Sequence, residues 1–234
     1  MPFELSRENL DHYLYLVAKE YKGKAKKVTP AELVLVGGAA IIINYSFRGQ
    51  TTDIDAMILA ASHIRDAISH VADDNGLDRD WLNDDFKKTS SYSDKLALYS
   101  KPYKTFCGCV NVRVVDGACL IAMKIRSFRQ YKHDISDIVG ILAQHEETGD
   151  KIELADVLKI YKDLYNQDID ADKLDVIKDI FASESFEELY YKTVREEADN
   201  KEILIEAQDK YKGALNKNNA TDFLASLKKK AGKQ

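Results

Sequence analysis

Two carboxylates, Asp53 and Asp55, flank a single isoleucine in the stretch Thr52-Asp-Ile-Asp-Ala-Met-Ile-Leu59. The opening alternation of polar and apolar residues predicts a half-buried strand. Side chains two apart on a strand leave from the same side, so both carboxylates share a face. Like charges held that close repel, and a divalent cation is their natural compensation. Upstream, the apolar run Glu32-Leu-Val-Leu-Val36 ends in Gly37-Gly38, and Ala39 to Tyr45 contains no helix breaker. A strand, a glycine turn and a helix are therefore expected in that order. Glycines let a ligand approach the backbone, and a helix N-terminus presents unpaired N–H groups to an anion such as phosphate. A pair of glycines alone carries no information, and an Asp-x-Asp alone carries little. Together they predict a phosphate cradle beside a metal-binding carboxylate pair.

The elements that must hold this pair follow from periodicity. Leu10, Tyr13, Leu14 and Val17 recur at helical spacing, so residues 5–21 are expected as an amphipathic helix with Ser6 as its cap. Ser62 to Asn75 reads as a helix stopped by Gly76. Residues 77–88 read as irregular or a short helix, and Tyr103 to Val115 as a hairpin around Gly108. From Ala118 onward every segment reads as helix: 118–131, 134–147, 152–165, 171–182, 186–212 and 220–230. The fold class expected is α+β, a small mixed sheet flanked by helices with an all-helical C-terminal part. The corresponding domains are 1–148 and 149–234.

The 234 residues are 45% hydrophobic and 31% charged, with a net charge of -5. This composition fits a globular chain. A mild acidic excess argues against tight non-specific nucleic-acid binding, though the patches at 22–27 and 228–230 are candidates for RNA phosphates. Three cysteines, Cys107, Cys109 and Cys119, make no disulfide framework. The polar N-terminal stretch does not read as a signal peptide, and no apolar stretch reaches membrane-spanning length. No membrane partner and a cytoplasmic location are expected.

Gly37-Gly38 followed by Asp53-Ile-Asp55 resembles the signature of the nucleotidyltransferase superfamily with the DNA polymerase beta type fold. Arg48-Gly-Gln-Thr51-Thr52 is similar to the Arg and Ser/Thr preceding the acidic pair in abortive-infection-type nucleotidyltransferases, whose related bacterial groups include toxins. The helix carrying Lys124, followed by Asp134 and Asp137, resembles a later segment of that group, as does Trp81-Leu-Asn-Asp84. The resemblance spans residues 32–142. It implies that Asp53 and Asp55 are catalytic and bind Mg²⁺ bridging an NTP. It implies that Gly37, Gly38, Arg48 and Thr52 hold the nucleotide, and that catalytic Lys124 contacts phosphate as a point charge. The implied reaction moves a nucleoside monophosphate to an acceptor, with tRNA, protein or a small molecule as its class. A toxin–antitoxin or phage-defence role, with an antitoxin partner, is implied on the same footing.

The chain departs from that pattern in one respect. Active members carry a third carboxylate on a later strand, whereas residues 110–115 offer Asn111 and Arg113 but no acid. Asp84, Asp85 and Asp116 are the remaining candidates. If none reaches the pair, the alternative is a catalytically inactive nucleotide- or partner-binding module. Small-molecule modification would instead call for an acidic pocket, which Glu184, Glu187, Glu188, Glu196 and Glu197 could supply.

Overall fold

The computed structural model describes residues 4–24, 29–60, 62–210, 216 and 219–231. By contact the chain divides into two compact units, Met1–Met123 with Ala155–Asp168, and Lys124–Leu154 with Ile169–Gln234. Counted by element type, as the sequence suggests, the strands among the described residues all precede Asp116 and only helices follow.

The first unit is built on a five-stranded mixed sheet of order β5-β4-β2-β7-β6. Its strands are β2 (Ala31–Leu35), β4 (Ile54–Leu59), β5 (Leu82–Asn83), β6 (Ser100–Phe106) and β7 (Val110–Val115). β2 pairs antiparallel with β4 and parallel with β7, so it is the centre of the sheet. One face consists of Leu33, Leu35, Ile54, Ala56, Val110, Val112 and Val114, all buried. That run of β-branched and aliphatic side chains is what a covered sheet face requires. The opposite face is mixed: it carries Glu32, Asp55 and Arg113 together with the buried Val34, Met57 and Val115. The expected β6–β7 hairpin is present, with Cys107 and Gly108 at positive φ in its turn.

Helix α1 (Arg7–Lys24) buries Leu10, Leu14, Val17, Ala18 and Tyr21 along one stripe. It starts at Arg7 rather than at residue 5. Leu5 and Ser6 form a short strand β1, paired antiparallel with β3 (Gln50–Thr51), and ladder bonds displace helical ones there. The Asn9 side chain accepts the Ser6 N–H at 2.8 Å, closing the first turn. Helix α2 (Gly37–Asn44) is almost wholly buried despite three consecutive isoleucines. Burial all round outweighs their modest helix propensity. Helix α3 (His63–Asn75) ends on Gly76 at φ 64°, the left-handed stop expected there. Trp81 is fully buried against the Tyr13 ring, with centroids 5.7 Å apart, and anchors the segment leading into β5.

Helix α4 (Gly117–Ser127) is shorter than the expected 118–131, because Phe128 turns to φ 46° and ends it. The Asp116 carboxylate accepts the Cys119 N–H at 2.8 Å and caps its start. Next come α5 (Asp134–Thr148), α6 (Leu154–Tyr165), α7 (Ala171–Phe181), α8 (Phe186–Lys210) and α9 (Ala220–Ala231). Residues 155–168 of this series belong to the first unit. Ser93 donates to the Leu164 carbonyl at 2.8 Å, and Tyr99 to Asp163 at 2.8 Å. Lys95 bonds Asp163 at 2.7 Å, and Tyr165 donates to the Ser91 carbonyl at 2.9 Å. In the second unit α5 packs along α8, and Leu204 meets Ala220 and Leu224.

Candidate functional site

Gly37 occupies the turn between β2 and α2 at φ 58°, a left-handed conformation that side chains resist. A Cβ there would lie 3.2 Å from Oδ2 of Asp55. The carboxylate therefore sits directly against the glycine turn. A Cβ on Gly38 would overlap the Thr51 hydroxyl and come within 3.4 Å of the Arg48 guanidinium. The two glycines admit, on one side, an acid and, on the other, a hydroxyl and a cation. Helix α2 opens at this point with Val36 as its cap residue, no side-chain cap bond and no acidic residue in its first turn. Its N–H groups and positive dipole end face the same turn.

Asp53 immediately precedes β4, Ile54 is fully buried, and Asp55 follows within the strand, so two half-exposed carboxylates flank a buried residue. The Asp55 carbonyl accepts the Val36 N–H at 3.0 Å and ties the pair to the end of β2. Thr52 is exposed, its hydroxyl 3.4 Å from Asp53. Thr51, only 6% exposed, is the threonine that lines Gly38. The sequence motif contains both threonines, and of the two the resemblance assigns the nucleotide to Thr52 alone. Its pairing with Leu5, which turns it inward, is carried by strands two residues long. Arg48 is held by a bond from Nε to the Gln50 carbonyl at 3.1 Å.

Two carboxylates on one face, beside a turn open to phosphate, match the oxygen donors Mg²⁺ takes from proteins. Asp53 and Asp55 are the residues that could hold it. Among the described residues no group of three or more His, Cys, Asp or Glu is arranged to hold a metal. The candidate third acids are engaged elsewhere. Asp84 accepts two bonds from Arg65, at 3.1 and 2.8 Å, and one from Lys87 at 2.9 Å. Arg65 first, then Lys87, hold its carboxyl well below the usual range. Asp85 pairs with Lys88 at 2.6 Å, and Asp116 caps α4. In register with Asp55 on the neighbouring strand stands Asn83, whose amide bonds the Asp80 carbonyl and the Asp85 N–H.

Lys124 belongs to a buried ionic cluster of the second unit. It is 8% exposed, and its ammonium lies 2.6 Å from Asp137 and 3.2 Å from Asp134. Arg129 adds bonds to Asp134 from its backbone N–H at 2.9 Å and its guanidinium at 2.9 and 3.0 Å. Burial pushes Asp134 up, but Lys124 and Arg129 outweigh it and hold the carboxyl well below the usual range. The lysine and the acidic Asp-x-x-Asp segment singled out in the sequence thus meet. Glu197, 5% exposed, reaches in from α8 and accepts the Ile135 N–H at 2.8 Å and the Ser136 hydroxyl at 2.5 Å. Burial pushes its carboxyl up to about 7, against the bonds from α5. Glu184, Glu187, Glu188 and Glu196 are exposed, so these five acids do not line one pocket. Of the basic patches, Lys22 donates to the Cys107 carbonyl at 3.0 Å. Lys26, Lys27 and the Lys230 side chain lie outside the described residues. No described helix is long and apolar enough to cross a membrane.

A mixed-sheet α+β core, with a glycine turn set against an aspartate pair, is the class that this geometry defines. The chain belongs to the family described as nucleotidyltransferase of unknown function (DUF6036), whose model matches residues 13–223. That span includes every residue of the glycine turn, the acidic pair and the Lys124 cluster. No curated protein and no solved structure matches the chain.

Proposed function

We propose that the chain is a Mg²⁺-dependent nucleotidyltransferase that moves a nucleoside monophosphate from an NTP to an acceptor. The observation that carries this reading is the contact of Gly37 with the Asp55 carboxylate at the uncapped start of α2. Gly37 and Gly38 leave the backbone open to a triphosphate, and the first N–H groups of α2 receive it. Arg48 steadies it with a planar cation. Asp53 and Asp55 would hold Mg²⁺, which when bound neutralises phosphate charge. Thr52 orients Asp53 through its hydroxyl. Lys124 is assigned the phosphate-contacting role that the resemblance implies. The acceptor belongs to tRNA, protein or small molecules. A cytoplasmic toxin restrained by an antitoxin is the biological setting that fits a macromolecular acceptor.

The engagement of Asp84, Asp85 and Asp116 elsewhere favours a second reading, a nucleotide- or partner-binding module without catalysis. One experiment separates the two. Purified protein is incubated with Mg²⁺ and each α-labelled NTP in turn, with RNA and protein fractions of a cell extract, beside Asp55→Ala. Label in one fraction with the wild type alone establishes transfer and the acceptor class. Binding of Mg²⁺-NTP without label in any fraction moves the assignment to the second reading.

A further inference from the structure

Next to the glycine turn lies an open cavity of about 440 Å³ in the first unit. It is lined from three directions: Ser6, Arg7 and Glu8 at the start of α1, Tyr45 and Ser46 at the end of α2, and Arg48 before β3. Arg48 is common to both places, because its guanidinium also lies 3.4 Å from the Cβ position of Gly38. The lining carries two cations against one acid. Arg7 is the first residue of α1, where the helix dipole favours an anion over a cation. Among the described residues its side chain has neither a hydrogen-bonding nor an ion-pairing partner. Arg7 and Arg48 thus line one opening together, beside a first turn of α1 that also carries Glu8.

We propose that this cavity is a second phosphate-binding subsite, joined to the glycine turn by Arg48. It deepens the nucleotidyltransferase reading and rests on it. Its ligand is a phosphate group beyond those held at Gly37 and Gly38. Two sources share that chemistry: the distal phosphates of the NTP, and a phosphate monoester on the acceptor. Arg7 is a binding residue in either case, since a guanidinium bonds two phosphate oxygens at once.

The test uses the full chain and Arg7→Ala, with Arg7→Lys as the conservative variant. Arg7 is exposed, so melting temperatures within a degree or two of wild type are expected and are checked first. Binding of inorganic tripolyphosphate and of pyrophosphate is measured by calorimetry. If the source is the nucleotide, Arg7→Ala weakens tripolyphosphate about tenfold and pyrophosphate hardly at all, and Arg7→Lys recovers part of the loss. If the source is the acceptor, polyphosphate binding is unchanged. In that case Arg7→Ala weakens binding of a 5′-phosphorylated oligonucleotide about tenfold, but not of its 5′-hydroxyl counterpart. Wild-type behaviour of Arg7→Ala in all these measurements overturns the subsite. The broader reading is judged separately, by whether label transfer depends on Asp55.

Discussion

A methyl group at position 38 would collide with the hydroxyl and Cβ of Thr51, whose strand β3 is held by Leu5. Gly38→Ala is therefore expected to cost about 1–3 kcal/mol of stability, the usual penalty for overpacking a closed contact. On the proposed function it should also weaken NTP binding, because the turn would no longer admit phosphate as closely. Adding Thr51→Ser leaves the hydroxyl in place, whereas Thr51→Gly removes both atoms that meet the new methyl. Thermal melts of Gly38→Ala with each second change check this. Recovery with Thr51→Gly but not with Thr51→Ser is the expected outcome, and no recovery in either would show that the strain lies elsewhere. At this scale the sequence was partly legible. The glycine pair and the Asp-x-Asp announce themselves by type and spacing. Which threonine faces the turn depends on a strand pairing across more than forty positions, and no local pattern records it. The same holds for Glu197, which caps a helix some sixty residues away.

The contact between α5 and α8 is an element held by titratable groups. Glu197 caps the start of α5 in place of a local side chain, and His133, Asp134, Asp137, Lys124 and Arg129 surround that start. With its carboxyl pushed up to about 7, Glu197 contributes stability that is fully present below its unfolded value near 4.3. That contribution fades as pH rises through the folded value and amounts to roughly 3 kcal/mol at most. Asp134 acts in the opposite sense: its carboxyl is depressed, so its contribution is present above about pH 4 and is lost in stronger acid. Urea titrations of Glu197→Gln and of wild type between pH 4 and pH 8 read this directly. Wild type should lose stability over that range, and the variant should lose less. Parallel slopes would remove Glu197 from the account. Element boundaries were largely visible beforehand, because apolar stripes and glycine stops are local signals. The exceptions have tertiary causes. Leu5 and Ser6 leave the predicted helix to pair with β3, and Phe128 ends α4 early in a left-handed turn.

For the molecule as a whole, the switch from strands to helices after Val115 reports the order of elements along the chain, not which residues pack together. Ser93, Lys95 and Tyr99 find their partners on α6, beyond that point. A chain cut after residue 148 loses all of these bonds, whereas one cut after residue 168 keeps them. The longer piece is expected to melt several degrees higher and to resist limited proteolysis between residues 89 and 100. Equal melting of the two pieces would mean that 155–168 adds nothing to the first unit. Burial of the Tyr99 hydroxyl beside Asp163, which pushes its ionisation up to about 12, gives a second readout. The phenol should titrate nearer its ordinary value of about 10 in the shorter piece.

The return of residues 155–168 to the first unit also has a meaning for synthesis. A ribosome releases the chain from its N-terminus at about 5–20 residues per second. The sheet, the glycine turn and the aspartate pair are all made by residue 123, yet the helix that engages Ser93 and Tyr99 comes later. For several seconds the nascent protein holds a complete sheet and glycine turn on an unfinished unit. Exposure of the groups that α6 later engages lasts through that interval, and the last turn of α6 ends it.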